Sequence, residues 1–184
     1  MEEFIKFLAK DSKGYLGAAY RKDAKWLNKF YKTPTEIDKL IQDATEADSK
    51  GWDCYIVPAI LKEKSRRKYS FKESNVAWVD YDGDEPVIFE PTPSVVVETS
   101  PNHYHAYWAF SEPATASQVE LTNQALYLNH GADNSGWDCT QLLRLPGTLS
   151  KKRGVPVEIV ARNENVEYGI YDLPKTWDLH LHVK

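Results

Sequence analysis

The sequence contains few cysteines and no long apolar run. Its 184 residues include only Cys54 and Cys139, which lie far apart and outside any Cys-x-x-Cys pair. This spacing argues against a zinc ribbon or a disulfide scaffold, and it predicts reduced thiols. No stretch reaches the roughly 18 apolar residues of a membrane-spanning helix, and the charged first residues lack the apolar centre of a signal peptide. We therefore expect a cytoplasmic protein without a membrane segment.

The sequence also lacks an excess of positive charge. Its 23 basic and 27 acidic residues give a net charge of -4, so the average field of the molecule does not predict nucleic-acid binding. Locally, residues 62–72 and 150–153 are basic, whereas acidic residues gather at 36–53 and 80–90. A hydrophobic content of 42% is typical of a globular chain. Without repeats, low-complexity segments or a linker, we expect one domain over residues 1–184.

Apolar periodicity and turn residues predict a mixture of helices and strands. Helices are expected at 2–9, 32–51 and 115–131, and strands at 14–22, 52–61, 76–79, 94–100, 104–110 and 155–161. For the second helix, Thr33 is the expected cap and Pro34 suits the first turn. The expected hairpin at 94–110 is followed by a helix, and this order favours an α+β layer fold over a doubly wound one.

The stretch VAWVDYDGD, residues 76–84, combines a buried strand with acidic residues. Strand alternation would place Asp80 and Asp82 on one face and Tyr81 on the other. Two neighbouring carboxylates repel each other and raise one pKa unless a cation or hydrogen bonds compensate. An Asp-x-Asp pair at a strand end therefore suits a divalent metal, although a polar strand-to-turn exit is the alternative.

The stretch ETSPNHYHAYWAF, residues 98–110, places two histidines on one face of a strand. His103 and His105 could bind one metal, as in the HUH endonucleases, where a helix tyrosine such as Tyr127 attacks the phosphodiester. Alternatively, one histidine faces a phosphate beside Ser100. A structural histidine pair at a strand edge is the third interpretation, and spacing alone does not separate the three.

The stretch GWDCTQLLRLPGTLSKK, residues 136–152, carries a charge among leucines. Arg144 must direct its guanidinium to a carboxylate, a phosphate or solvent, because an unpaired buried charge is costly. The basic residues 151–153 could neutralise a triphosphate or a nucleic-acid backbone, or could be a solvated charge run. Asp138 lies six residues before Arg144 and could join the two acids of the first stretch.

Taken together and in order, WVDYD, TSPNHYHAYW and DCTQLLRLPGTLSKK resemble the catalytic core of the archaeo-eukaryotic primase superfamily, in its phage and plasmid primase-polymerase branch. That family shows an Asp-x-Asp strand end, a Ser followed by a His on the next strand, and a third acid before an Arg-Leu-Pro-Gly-Thr-like run. The resemblance covers residues 52–161 and leaves 1–51 and 162–184 as variable flanks. It implies an RRM-like antiparallel sheet backed by helices, with a small N-terminal α/β unit.

The resemblance also implies a metal site. Asp80, Asp82 and Asp138 would bind two Mg²⁺ or Mn²⁺ ions. Asp133 competes for the third position, but it lies in the turn-like stretch GADNSG. The implied activity is two-metal nucleotidyl transfer from a nucleoside triphosphate to a 3′-hydroxyl on a single-stranded DNA template.

The nucleotide contacts follow from the same resemblance. His105, together with Ser100, would contact the phosphates of the incoming nucleotide. Arg144 and one of Lys151 or Lys152 would add positive charge around the triphosphate. The family often has glycines between the serine and the histidine, whereas this sequence has Pro-Asn-His there, so we expect a differently shaped phosphate loop.

The basic segment 62–72 is the expected template contact. Its cations could hold phosphates, and Tyr69 and Phe71 could stack on bases, although a solvated loop is the alternative. The candidate residues are Arg66, Arg67, Lys68 and Tyr69. A helicase or an accessory helical domain outside this chain is a further expected partner. Two other hypotheses stay open: an HUH-type nickase that uses Tyr127, and a non-catalytic nucleic-acid-binding module.

Overall fold

The computed structural model describes residues 1–83, 85–132 and 135–175. Within these ranges the helices are α1 (Glu2–Ala9), α2 (Ile37–Ser49) and α3 (Ala116–His130). The strands are β1 (Gly14–Lys22), β2 (Lys25–Thr33), β3 (Asp53–Leu61), β4 (Phe71–Asp82), β5 (Val95–Ser100), β6 (His103–Ala114), β7 (Leu143–Arg144), β8 (Thr148–Ser150), β9 (Val155–Arg162) and β10 (Glu167–Tyr168). A 3₁₀ turn, Lys68–Ser70, precedes β4. The architecture is α+β, as predicted.

The strands form a curled sheet in the order β2-β1-β3-β4-β6-β5-β9-β8, with antiparallel pairing along this path. β3 and β4 pair near Leu61 and then diverge. Beyond that point α3 lies along the edge of β4, where the Asn123 side chain accepts a hydrogen bond from the Trp78 backbone N–H at 2.9 Å. On the other side of the gap, β7 pairs with β3. Residues 136–150 therefore fill the space between the two halves of the sheet.

The first 51 residues share their core with the later strands. Phe4 of α1 packs edge-on against Tyr107 of β6, with the ring centroids 5.1 Å apart. The buried Asn75 of β4 donates from Nδ2 to the Leu8 carbonyl at 2.9 Å, which satisfies a helix-end acceptor that would otherwise lack a partner. Burial of each such large apolar side chain stabilises the fold by about 1.5–3 kcal/mol. The N-terminal elements are thus part of the support beneath the motif-bearing strands.

The region around Thr33 differs from the prediction. Strand β2 was not predicted, and Thr33 ends this strand instead of capping the next helix. Its Oγ1 donates to the Ser12 carbonyl at 2.7 Å, so the hydroxyl is engaged across the sheet, and α2 begins only at Ile37. The weak alternation of the polar stretch 25–33 concealed an edge strand, because such a strand exposes side chains on both faces.

Other predicted elements are confirmed. Thr115 caps α3 in a capping box with Gln118, and Gly131 ends the helix with a left-handed φ of 61°, which glycine adopts without steric cost. Cys54 and Cys139 are buried and free. Within the described ranges, every helix falls short of the length and apolar character that a bilayer crossing demands.

Candidate active site

The β4–β6 ladder brings the acid motif and the histidine motif together. Asp80 lies opposite His105 and Asp82 opposite His103, so all four side chains share one face of the sheet, as alternation predicted. His105 Nε2 lies 3.3 Å from Asp80 Oδ1, and His103 Nδ1 lies 2.6 Å from Asp82 Oδ1. Each carboxylate therefore has its own histidine.

The two pairs differ in burial. The Asp80 side chain is 19% exposed and that of His105 5%, whereas the Asp82 side chain is 55% exposed. Burial opposes ionisation of Asp80, but the charge and hydrogen bond of His105 and the charge of Arg144 outweigh it. The pKa of Asp80 consequently lies below its ordinary value. Asp80 is thus held as a carboxylate that is ready to bind a cation.

A polar pocket of about 230 Å³ opens above these pairs. Five segments supply its walls: the end of β4, the start of β6, the end of β5, the start of β3, and residues 142–153. The lining residues are Tyr55, Asp80, Asp82, Thr99, Ser100, His103, His105, Leu142, Arg144, Ser150, Lys152 and Arg153. Acidic groups line one side and cationic groups the other, which suits a polyanion that carries bound metal.

Arg144, which lies among leucines in the sequence, forms an ion pair with a carboxylate. Its Nη1 donates to Asp53 Oδ1 at 2.7 Å, and its guanidinium lies 5.2 Å from the centroid of the Tyr55 ring. The same Asp53 oxygen accepts a hydrogen bond from the Lys151 backbone N–H at 2.9 Å. Asp53 and Tyr55 were missed at the sequence level. Strand alternation indicated that both residues lie on one face of β3. The order of the chain did not predict that β7 pairs with β3.

The basic residues after β8 contact two different parts of the molecule. Lys151 Nζ pairs with Asp48 Oδ1 of α2 at 2.7 Å, whereas Lys152 and Arg153 line the pocket. The β8–β9 turn that holds them ends at Gly154, whose φ of 69° favours glycine. Of the two lysines that the resemblance offered, the structure brings Lys152 to the pocket, and Arg153 joins it.

The structure does not bring Asp138 to this pocket. Its Oδ1 accepts hydrogen bonds from the Thr140 backbone N–H at 2.6 Å and from Thr140 Oγ1 at 2.5 Å. The ligand atoms of Asp138, Glu120 and Cys139 all lie within 4.8 Å of one another, so these residues form a second group of possible metal ligands. Asp133, the competing third acid, lies outside the described residues.

Contacts with neighbouring elements hold the predicted template segment. Arg66 Nη1 donates to the Thr140 carbonyl at 3.1 Å, and Lys68 Nζ pairs with Glu120 Oε2 at 2.6 Å. Tyr69 is 64% exposed and therefore accessible to a base. The stacking role considered for Phe71 is wrong, because Phe71 begins β4 and is only 5% exposed.

The nickase hypothesis lacks its nucleophile. His130, at the end of α3, stacks on Trp108 with the ring centroids 5.9 Å apart. Trp108 and His105 lie on opposite faces of β6, because they are an odd number of residues apart along the strand. The end of α3 that contacts Trp108 therefore lies on the face of β6 opposite the pocket. Tyr127 packs against the core from α3 and is not among the residues that line the pocket.

The donor set fits oxygen-preferring divalent ions and phosphate. Asp80 and Asp82 offer hard carboxylate oxygens of the kind that Mg²⁺ and Mn²⁺ bind. His105 Nδ1 and Ser150 Oγ are buried without a hydrogen-bond partner among the described residues, and both residues line the pocket. Buried polar atoms of this kind call for a polar partner. The residues present therefore fit a metal-bound phosphate ligand.

Comparisons with known proteins agree with this geometry. Residues 71–169, which are 99 of the 184, match the model of the RepB DNA-primase N-terminal domain. No curated protein sequence matches the chain. The fold is similar to the AEP domain of the cyanophage S-2L primase-polymerase, with a TM-score of 0.75 and 16% identity over 94% of this chain and 96% of that one.

A second solved structure, the catalytic domain of primase RepB′ in complex with initiator DNA, gives a TM-score of 0.65 and 17% identity over 90% of this chain and 87% of that one. At such identities the likeness shows the fold, and the family assignment comes from the sequence model. That model covers the Asp80 strand, the His105 strand and the Arg144 turn. The chain belongs to the RepB DNA-primase N-terminal domain family, and its predicted place in the archaeo-eukaryotic primase superfamily is confirmed.

Proposed function

We propose that the chain is a primase-polymerase catalytic domain of phage or plasmid replication, which transfers a nucleotide from a nucleoside triphosphate to a 3′-hydroxyl on a single-stranded DNA template. The observation that carries the proposal is the pairing of Asp80 with His105 and of Asp82 with His103 in one polar pocket. In the reaction the 3′-oxygen bonds to the α-phosphorus, the bond to pyrophosphate breaks, and the hydroxyl proton leaves to solvent.

The acids of the pocket would hold the metal ions. Asp80 and Asp82 are the ligands that the ladder already places side by side, and we keep Asp138 as the proposed third carboxylate, released from Thr140. Bound Mg²⁺ or Mn²⁺ supplies the charge that lowers the pKa of the attacking hydroxyl and neutralises the leaving pyrophosphate. The histidines orient the carboxylates, since a residue that hydrogen-bonds a metal ligand fixes its direction.

The other side of the pocket would bind the triphosphate. Ser100 and His105 line it, together with Arg144, Lys152 and Arg153 of residues 142–153. Arg144 is oriented by Asp53 and Tyr55, so its planar donors are directed before the nucleotide arrives. Such preorganised charge stabilises transferring phosphoryl groups without reorganisation at the moment of reaction.

We extend the proposal to the organisation of the chain. Residues 1–184 would act as one catalytic domain, with 52–161 as its core and 1–51 and 162–184 as flanks. The joining of β1 and β2 to the common sheet supports this assignment. A helicase or an accessory helical domain outside this chain would be the partner, and the host cytoplasm the place of action.

The test is extension of a primed single strand by labelled nucleotides with Mg²⁺ or Mn²⁺. We expect elongated primer that disappears with a chelator and in the Asp80→Asn/Asp82→Asn double variant, and no protein–DNA adduct on a denaturing gel. Glu112→Gln is the matched control, because Glu112 is an exposed acid on β6 outside the pocket. A folded double variant that extends primers at the wild-type rate, or a covalent tyrosyl–DNA product, would refute the proposal.

A further inference from the structure

The polar pocket continues into a second groove that no motif predicted. Tyr55 and Arg144 line both cavities, and the second one, of about 340 Å³, runs along the face of β3 and β1 towards the β1–β2 hairpin. Five cations line this groove against two carboxylates: Arg21, Lys22, Arg144, Lys151 and Lys152 against Asp23 and Asp53. In a chain of net charge -4, such a local excess favours an anionic partner.

A continuous stack of flat side chains, tilted by 40° between Trp26 and Tyr55, crosses the same face. The Arg21 guanidinium lies 5.4 Å from the centroid of Trp26, Trp26 lies 5.5 Å from Tyr55, and Tyr55 in turn lies beneath Arg144. We name these four residues, Arg21, Trp26, Tyr55 and Arg144, the hairpin surface.

The sheet register explains why the stack forms. Arg21 pairs with Trp26 across β1–β2, and Ala19 pairs with Tyr55 across β1–β3. Because Ala19 is small, Trp26 can reach over β1 to the Tyr55 ring. The stack therefore depends on three strands in register, not on a flexible loop.

The hairpin surface leaves aromatic area open to solvent. Trp26 is 46% exposed, although burial of an aromatic ring of this size would be favourable. The described residues give Lys22 and Lys152 no carboxylate partner within salt-bridge distance, whereas Arg144 and Lys151 have one. Lys22 Nζ donates to the Lys50 carbonyl at 2.9 Å, so its charge is not neutralised. An exposed ring beside cations that no carboxylate neutralises matches a ligand that alternates flat bases with phosphates, which is single-stranded nucleic acid.

We propose that the hairpin surface binds the single-stranded template where it meets the nucleotide pocket, with one base stacked on Trp26 and its phosphates near Lys22 and Lys152. This rests on the proposed function for the identity of the strand, but the binding itself needs neither metal nor catalysis. It also differs from the expectation for segment 62–72, which lies across the divergence of β3 and β4, beside α3.

The experiment measures the affinity of a fluorescent single-stranded oligonucleotide by anisotropy, in chelator, across a salt series. Trp26→Ala should weaken binding roughly 5- to 100-fold, which is the usual contribution of one stacked base, while Trp26→Phe retains most of the affinity. Lys22→Gln/Lys152→Gln should also weaken binding and reduce the log–log salt slope by roughly one to two units, since fewer counterions are released. Trp26→Ala should leave that slope unchanged.

Leu27→Ala is the matched control. Leu27 is the next residue of β2, is similarly exposed at 42%, and faces α2 on the opposite side of the sheet beside Asp43. It should bind like wild type, and circular dichroism with thermal unfolding should show that every variant is folded. Wild-type affinity in folded Trp26→Ala, equal losses in Trp26→Ala and Leu27→Ala, or an equal loss on blunt duplex DNA would each overturn the proposal.

The same measurements in the Asp80→Asn/Asp82→Asn background separate this proposal from the proposed function. Trp26-dependent binding in the double variant, together with no nucleotide incorporation by the wild-type protein, would support the hairpin surface and refute the polymerase. Nucleotide incorporation by the wild-type protein, together with DNA binding that Trp26→Ala does not change, would support the polymerase and refute the hairpin surface.

Discussion

Two parts of the site are held in different ways. Ladder hydrogen bonds fix the sheet part, which consists of Asp80, Asp82, His103 and His105. The turn part, residues 136–142 with the basic segment 62–72 against it, depends on side-chain contacts such as Arg66 to the Thr140 carbonyl. Ladder hydrogen bonds determine to which face of the sheet each side chain points. A segment held by only a few side-chain contacts can exchange those contacts when a ligand binds. We therefore expect the sheet part to be preformed and the turn part to adjust.

The largest effect should come from the acids of the sheet part. Asp80→Ala and Asp82→Ala should each lower nucleotide incorporation more than about a hundredfold, because loss of a metal ligand should exceed the 10- to 100-fold typical of its supporting residues. Thermal unfolding should show that both variants stay folded. Asp80→Ala should not raise stability, since Asp80 attracts His105 and Arg144. A folded variant with near wild-type incorporation would contradict the metal assignment.

The next effect separates the two histidines. His105→Ala should lower incorporation roughly 10- to 100-fold, because His105 is buried and supports Asp80. His103→Ala should cost less than about tenfold, because its partner Asp82 is mostly solvated. Steady-state rates and nucleotide affinities for both variants provide the measurement. Equal losses of rate and of bound metal in the two variants would favour a shared His-x-His metal site.

A matched pair of variants tests the turn part. Asp138→Asn keeps an acceptor for Thr140 but removes the charge, and it should lower incorporation roughly tenfold or more if Asp138 becomes the third carboxylate. Thr140→Val removes one donor to Asp138 and keeps the acid, so it should leave the rate within about threefold of wild type. Rates of nucleotide incorporation, measured across a Mn²⁺ titration, distinguish Asp138→Asn from Thr140→Val. Normal activity in Asp138→Asn with loss in Thr140→Val would assign Asp138 a structural role in the turn.

The smallest effect concerns the basic segment. Arg66→Ala/Arg67→Ala should weaken single-strand binding modestly and flatten its log–log salt dependence by roughly one to two units, if both side chains contact phosphates. Binding of free nucleotide to the pocket should not change. Affinity across a salt series, compared with Lys22→Gln/Lys152→Gln beside the hairpin surface, shows which surface binds the template. Parallel salt slopes with unchanged affinity would show that segment 62–72 does not contact the template.

Sequence reasoning succeeded where local periodicity carries the information. Period-two alternation placed Asp80 and Asp82 on one face, and helical periodicity with Gly131 at its end predicted α3. It failed at Thr33, because a polar edge strand has no clear alternation, and at Phe71, because the start of a buried strand looked like the end of a basic loop.

By itself the sequence determined the family, the α+β class, and the face that carries the Asp and His motifs, since these depend on residue order and strand alternation. The tertiary structure decided which groups meet. It paired Arg144 with Asp53 and Tyr55, turned Lys151 towards Asp48, placed Asp138 beside Glu120, and assembled Trp26 with Arg21. Those contacts join residues distant in sequence or on separate strands, and only the pairing of strands and the packing between them sets such distances.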